Sequence, residues 1–205
     1  MALKTTVKIG RITNLSDARY GAGMGVDFLG FCFSSDSEEY IEPDEFKEIA
    51  GWVSGPQLVG EFINEQATTI YNLAKELKLE IVQVEQVHTA NELSSKLKVI
   101  YRLNLETLSD KDEITVCLQN LTPTVEYVLI DSEKIPNQNQ LKAIEALSSQ
   151  FKILRGFDLN DESISDELDK SAVTGISLNG SQEIKAGFKD YDELADILEA
   201  LELDD

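Results

Sequence analysis

The chain has 205 residues, of which 42% are hydrophobic and 27% are charged. It is therefore long enough for one substantial domain with a buried core, and its composition excludes a disordered polyampholyte. The 38 acidic and 18 basic residues give a formal net charge of −20. Because nucleic acids and anionic membranes are bound by clustered Lys and Arg, we expect neither nucleic acid nor membrane as a partner.

The few residues with metal or redox chemistry are scattered. Cys32 and Cys117 lie far apart in apolar contexts, there is no CxxC motif, and the chain has a single histidine. A zinc site therefore cannot be assembled, and buried thiols in a reducing compartment are the expected state. No apolar run approaches the ~20 residues of a membrane span, and the first residues lack a signal-peptide pattern. We expect a cytoplasmic protein without a cofactor or a metal.

Short apolar runs rich in β-branched residues recur along the chain, and eight of them are predicted strands. They cover residues 6–10, 26–33, 57–63, 80–84, 98–103, 125–131, 151–156 and 172–178. Several are apolar almost throughout, which is typical of strands that are covered on both faces.

Amphipathic stretches separate these runs. The apolar residues within 70–77 and 114–121 follow the i, i+3, i+4, i+7 spacing of one helix face, so residues 113–121 are predicted to be helical despite their β-branched members. Eight strands in alternation with helices predict a single (β/α)8 TIM barrel over residues 1–205. The alternative is a doubly wound open sheet, because periodicity alone does not distinguish the two.

In such a barrel the functional site forms at the carboxyl ends of the strands. Asp131 directly follows the apolar run 128–130. Its carboxylate is therefore predicted to stand at the barrel mouth, where it could act as a general acid or base. The alternative is a carboxylate that caps the next segment or pairs with a nearby arginine.

Two arginines and two glycine-bearing loops are the candidates for ligand binding. Arg11 and Arg155 could hold an anionic ligand, or could instead neutralise Asp131 or Glu85. Backbone N–H groups of the loops after late barrel strands commonly hold phosphate. The loop candidates are Gly156, Asn179, Gly180 and Ser181. Together these residues predict a site for a small phosphorylated ligand. The alternative is that the two glycines are ordinary turn residues.

Several short motifs stand in the order and at the spacing of one known family. They are residues 7–14 (Val-Lys-Ile-Gly-Arg-Ile-Thr-Asn), 25–33 (Gly-Val-Asp-Phe-Leu-Gly-Phe-Cys-Phe), 59–64 (Val-Gly-Glu-Phe-Ile-Asn), 82–84 (Val-Gln-Val), Asp131 and 187–190 (Gly-Phe-Lys-Asp). In these motifs the chain resembles phosphoribosylanthranilate isomerase, the (β/α)8 enzyme of tryptophan biosynthesis. The resemblance implies a monomer or homodimer. It also implies an Amadori rearrangement, in which a phosphoribosyl amine opens to an aminodeoxyribulose phosphate.

The resemblance also implies residue roles, and here the chain departs from the family. Asp131 corresponds to the family's general acid. The general base is a cysteine in a Lys-Ile-Cys-Gly-Ile-Thr motif, and its position here is Gly10, which cannot take a proton. The glycine that follows this cysteine is replaced by Arg11.

Other site loops depart as well. Basic residues after the second strand are replaced by Asp36 and Glu39, a His-Gly pair by residues 85–86, a Gly-Gly phosphate loop by residues 155–156, a Ser-Ser-Gly loop by residues 179–181 and a glycine-rich stretch by residues 132–136. When an acidic residue replaces a basic residue ~4 Å from a charge of the ligand, the energy of that contact changes by roughly 1–4 kcal/mol.

Three interpretations remain open. The first is a non-catalytic or repurposed member of the fold. The second is a working isomerase with Asp131 as its acid and a base relocated to Asp36, Glu38 or Glu85. The third is a different enzyme that holds a divalent cation with oxygen ligands, namely Asp36, Glu39, Glu85 and Asp131.

Overall fold

The computed structural model describes residues 2–108, 111–180, 183–185, 188–189 and 192–203. Its centre is a closed barrel of eight parallel strands in sequence order. The barrel closes where β1 pairs with β8, from Thr6 opposite Gly175 to Gly10 opposite Asn179. The predicted (β/α)8 barrel is therefore confirmed, and the open sheet is wrong because β1 and β8 leave no free edge.

All eight strands lie within two or three residues of their predicted bounds. The strands are β1 (Thr6–Gly10), β2 (Phe28–Cys32), β3 (Gln57–Phe62), β4 (Ile81–Val84), β5 (Lys98–Asn104), β6 (Tyr127–Asp131), β7 (Ile153–Gly156) and β8 (Gly175–Asn179). A short antiparallel pair, β9 (Glu183–Lys185) and β10 (Phe188–Lys189), follows the barrel.

One helix follows each barrel strand. The helices are α1 (Leu15–Gly23), α2 (Pro43–Ala50), α3 (Ala67–Leu77), α4 (Val87–Leu93), α5 (Lys111–Gln119), α6 (Gln138–Leu147), α7 (Ile164–Lys170) and α8 (Asp192–Ala200). The helix predicted around residues 113–121 is thus confirmed as α5, because Ile114 and Leu118 bury one face against the core. Within the described ranges, no helix has the length and apolar character required to cross a bilayer.

The apolar core has two parts, one on each side of the sheet. The larger part lies between the barrel and the helices. The smaller part lies inside the barrel, and we call it the inner apolar layer; its members are Phe28, Val59, Ile81, Ile100, Leu129 and Leu154. Buried side chains of this size fill the barrel axis, so the lower half of the barrel is a packed core and not a channel.

Side chains two residues further along a strand face the same side of the sheet. Applied to β3, β4, β5 and β6, this step leads from the inner apolar layer to Glu61, Gln83, Arg102 and Asp131. We call these four residues, with Lys8 of β1, the polar layer. It stands towards the carboxyl ends of the strands, where the loops that follow them can complete a site.

Candidate functional site

A cavity of about 70 Å³ lies at the barrel mouth. All five members of the polar layer line it, together with Arg11, Cys32, Ser37, Glu39, Glu85, Ser177 and Asn179 among others. Ligand pockets for small organic molecules commonly have volumes of about 300–1,000 Å³. In this structure the mouth is therefore filled largely by its own side chains.

The most deeply buried charge of the cavity wall is Lys8. Its side chain is 2% exposed and donates a charge-assisted hydrogen bond to Oε1 of Glu61, whose side chain is 8% exposed. The backbone N–H of Arg11 donates to the other oxygen, Oε2, at 3.2 Å. Because two charges leave water together and Glu61 receives a donor on each oxygen, both buried charges are compensated.

This ion pair occupies the space above two glycines. A Cβ at Gly10 would lie 2.8 Å from both Lys8 Nζ and Glu61 Oε1. A Cβ at Gly30, on the neighbouring strand, would overlap the Glu61 carboxylate. Any side chain at Gly10 or Gly30 therefore requires the Lys8–Glu61 pair to move.

A second charged cluster combines Arg102 of β5 and Asp131 of β6 with Glu85, the residue that follows β4. Arg102 donates from Nη1 to Glu85 Oε1 and from both Nε, at 3.0 Å, and Nη2 to Asp131 Oδ2. Burial by itself lowers the pKa of the Arg102 guanidinium, but the charges and hydrogen bonds of Asp131 and Glu85 outweigh burial and raise it above its usual value. Arg102 therefore stays charged and holds both carboxylates on one side of the mouth.

Gln83 lies between these two clusters in strand order and is 6% exposed. Its Oε1 atom is the one buried side-chain oxygen or nitrogen without a hydrogen-bond partner in the part of the chain that the structure describes. Leaving a buried acceptor unsatisfied costs about 1–3 kcal/mol. An unpaired acceptor on the cavity wall is therefore an open position for a donor.

The rim on the β2 side combines a thiol with an exposed ion pair. Cys32 is buried, and burial together with the charges of Glu61 and Glu39 raises the pKa of its thiol, against hydrogen bonds from Ser37 and Ser34 that lower it. Ser37 also donates to Glu39 at 2.7 Å. Glu39 Oε1 lies 3.5 Å from Arg11 Nη1, and both side chains are more than a third exposed.

The two predicted arginines are in ion pairs, but not with the expected partners. Asp131 and Glu85 are bound by Arg102, whereas Arg11 pairs with Glu39. Arg155 faces outward from the barrel because the inward position of β7 belongs to Leu154. The alternative in which Arg11 or Arg155 neutralises Asp131 or Glu85 is therefore wrong.

Arg155 is engaged within its own loop. It donates to the carbonyl of Phe157 at 2.9 Å and to that of Asp158 at 2.5 Å, and its Nη1 lies 2.7 Å from Glu167 on α7. Arg155 as a whole residue is only 9% exposed. The guanidinium therefore fixes the loop after β7, and its assignment to ligand binding stays a prediction.

The remaining predicted ligand residues belong to the ends of β7 and β8 and to the segments that follow them. Asn179 lines the cavity, and Gly156 has Asp131 and Leu129 as neighbours. The N–H of Gly180 donates to the carbonyl of Gly10 at 2.8 Å. Ser181 lies outside the described residues. The assignment of these residues to ligand binding also stays a prediction.

Sequence reasoning missed the residues that fill the mouth. Lys8, Glu61, Gln83 and Arg102 received no role, although each is a polar residue inside an otherwise apolar strand run. Glu61, Gln83 and Arg102 each stand two residues after an inward apolar neighbour, and that spacing is the signal that would have placed them on the barrel axis.

Comparison with known proteins gives one consistent result. The family model described as N-(5'phosphoribosyl)anthranilate (PRA) isomerase matches residues 7–200. The N-(5'-phosphoribosyl)anthranilate isomerase of Thermotoga petrophila is 27% identical over 207 residues, covering 92% of this chain and 94% of that protein. The Bacillus subtilis isomerase is 27% identical over 130 residues, covering 63% of this chain and 60% of that protein.

Solved structures show the same fold. The phosphoribosyl anthranilate isomerase of Thermotoga maritima superimposes with a TM-score of 0.78 at 23% identity, covering 96% of this chain and 98% of that one. A complex of phosphoribosyl anthranilate isomerase with reduced 1-(o-carboxyphenylamino)-1-deoxyribulose 5-phosphate gives 0.77 at 24% identity, with the same coverage of both chains. At these identities the likeness establishes the barrel and leaves the chemistry of the mouth to its own residues.

Proposed function

The chain belongs to the phosphoribosylanthranilate isomerase family, and we propose that it is a member that does not catalyse the family's Amadori rearrangement. The observation that carries this proposal is the Lys8–Glu61 ion pair above Gly10. The rearrangement requires a base and an acid on either side of the substrate. At this mouth the position of the base holds no side chain, and its space belongs to a salt bridge.

The acid position supports the same conclusion. Asp131 accepts two hydrogen bonds from the Arg102 guanidinium on one oxygen. A carboxylate paired in this way acts as an acceptor, whereas a general acid must give a proton to the substrate. Glu85 is bound to the same guanidinium, so the two carboxylates share one cation.

The second interpretation, a relocated base, finds little support in the geometry. Asp36 and Glu38 are exposed, and Glu85 stands beside Asp131 on a shared guanidinium, so it does not face Asp131 across a substrate. Cys32 lines the cavity, but the raised pKa of its thiol keeps it protonated at neutral pH.

The third interpretation, a divalent cation site, fails on the arrangement of the carboxylates. Glu39 pairs with Arg11, whereas Glu85 and Asp131 pair with Arg102. Among the residues that the structure describes, no group of three or more His, Cys, Asp or Glu side chains is placed to hold a metal ion.

The proposal is tested by an isomerase assay on substrate generated in situ, with folding checked by circular dichroism. We expect no turnover from folded wild-type protein. Turnover that disappears in Asp131→Asn would show that Asp131 is a working acid and would overturn the proposal. Turnover that persists in Asp131→Asn would indicate a contaminating isomerase, which a repeat on protein from an isomerase-deficient host removes.

A gain-of-function variant sharpens this test. Gly10→Cys returns a thiol to the position of the base, but its Cβ meets Lys8 Nζ and Glu61 Oε1 at 2.8 Å. We therefore expect Gly10→Cys to lose stability, by about 1–3 kcal/mol as for other overpacked sites, and to gain no turnover. Measurable turnover from this single variant would show that the ion pair does not block the site.

A further inference from the structure

The acceptor of Gln83 is the starting point for the nature of the ligand. The residue is 94% buried, since its exposed fraction is 6%, and its Oε1 atom has no hydrogen-bond partner among the described residues. Gln83 also lines the cavity at the barrel mouth. An unsatisfied carbonyl oxygen accepts from N–H or O–H and repels the oxygens of a phosphate or a carboxylate.

The charges of the cavity wall favour the same kind of group. Four carboxylates line the cavity, namely Glu39, Glu61, Glu85 and Asp131, against three cations, namely Lys8, Arg11 and Arg102. Lys8 and Arg102 are committed to buried or half-buried partners. Arg11 lies 3.5 Å from a partly exposed Glu39. Glu39 is therefore the carboxylate that most easily exchanges its present partner for an incoming cation.

Three candidate donors for an anion are engaged within the protein. The Arg155 guanidinium is bound to the loop after β7. The backbone N–H of Arg11 donates to Glu61, and that of Gly180 donates to Gly10. Within the described part of the chain, a phosphate entering this mouth would therefore meet four carboxylates, while these two backbone donors already have partners. The net charge of −20 adds to this by attracting cations to the protein.

We propose that the mouth of the barrel binds the ammonium group of a small organic amine, with Gln83 Oε1 as a central acceptor and the surrounding carboxylates as the counter-charge. The cavity of about 70 Å³ accommodates such a headgroup, with the carbon chain directed to the opening. This inference rests on the proposed function, because it assigns a ligand to a mouth that no longer carries out the isomerisation.

The test uses four probes of stated chemistry: n-butylammonium, butyrate, n-butanol and ribose 5-phosphate. The first three share a four-carbon skeleton, in which the last carbon of butyrate is its carboxylate carbon, and they differ in the polar group at one end. Thermal unfolding is followed at constant ionic strength, and binding is measured by calorimetry. At a concentration of about ten times its dissociation constant, we expect n-butylammonium to raise Tm by about 3–6 °C. We expect the other three probes to leave Tm unchanged.

Three variants separate a specific site from general attraction to an acidic protein. Gln83→Leu removes the acceptor, Gln83→Met does so with nearly the same side-chain length, and Gln57→Leu makes the same change at an exposed position of β3. We expect the ammonium-dependent shift to disappear in both Gln83 variants and to persist in Gln57→Leu. The Met variant keeps the test valid if Leu packs poorly.

Two results would overturn the inference. An equal shift in wild type and in the Gln83 variants would indicate screening of the net charge, and stabilisation by butyrate or ribose 5-phosphate in place of the amine would indicate an anion site. The isomerase assay separates the two proposals. If the amine does not bind and turnover is absent, only the ligand assignment fails; if turnover is present, the proposed function fails with it.

Discussion

The inner apolar layer and the polar layer of the barrel lie two residues apart along the same strands, yet they are stabilised by different interactions. Ile100 and Leu129 pack against aliphatic and aromatic neighbours, whereas Arg102 and Asp131, directly above them, depend on charge pairing. Dispersion and hydrophobic burial are distributed over many small contacts, so a loss is local. Buried charges depend on one or two specific partners, so the loss of one charge leaves its partner uncompensated.

The sharpest test of this difference is a double-mutant cycle on the buried ion pair. Glu61→Leu leaves the ammonium of Lys8, 2% exposed, without its counter-charge, and we expect a loss of about 3–5 kcal/mol in the free energy of unfolding. In Lys8→Met with Glu61→Leu we expect a smaller loss than in either single variant. Urea unfolding measures all three, and additive losses would show that the two charges are not coupled.

The inner apolar layer is tested by truncation of one member. Ile100 is completely buried, and we expect Ile100→Ala to cost about 2–5 kcal/mol through lost burial and the cavity left behind. A second truncation in the other part of the core, Ile197→Ala on α8, should add to it almost independently, because the two side chains belong to separate apolar clusters. Strong non-additivity in thermal or urea unfolding would contradict the contrast between the layers.

Removal of the central cation tests the half-buried cluster. Arg102→Met leaves Glu85 and Asp131 close together without the guanidinium, and we expect a loss of about 2–3 kcal/mol, below the about 3–5 kcal/mol for fully buried pairs because the three side chains are 16–25% exposed. Neutralising one carboxylate as well, in Arg102→Met with Glu85→Gln, should recover part of the loss, because the repulsion between the two carboxylates is then removed. A double variant no more stable than Arg102→Met, measured against wild type in urea, would contradict this explanation.

The smallest expected effect concerns the rim. Arg11 has a left-handed backbone with φ of 58°, and its ion pair with Glu39 is long and exposed. We expect Arg11→Gly to be more stable than Arg11→Ala by about 1 kcal/mol, because glycine adopts this conformation without strain. The same ion pair is lost in both variants, so their difference in Tm isolates the backbone. Equal stability would show that the conformation carries no strain.

The fold was predictable because several sequence patterns indicate it independently. The eight β-branched runs and the helical periodicity between them both indicate alternating strands and helices, and an error of two or three residues at one strand end does not change that alternation. The closure of the barrel was inferred from the number of predicted strands. The pairing of β1 with β8 links residues about 170 positions apart, and no local pattern encodes it.

The site was predictable only in part, for a physical reason. Asp131 could be placed at the mouth because a strand ends there, but its partner could not, since Arg102 belongs to another βα unit. Arg155 was expected at the mouth because it ends a strand, yet side chains alternate across the sheet and Leu154 takes the inward direction. The partners of charged residues are set by the three-dimensional register of the barrel, which the order of residues in one strand does not reveal.

The two glycines beneath the Lys8–Glu61 pair restrict how this sequence can change. A side chain at Gly30 overlaps Glu61, and one at Gly10 crowds both charges. Substituting Glu61 first leaves Lys8 buried without a counter-charge, and substituting a glycine first forces the pair apart. A path of single substitutions back to a cysteine at position 10 therefore passes through a destabilised intermediate, whichever change comes first. The ion pair thus disfavours reversal of this position, because each single change lowers stability before a second change can compensate it.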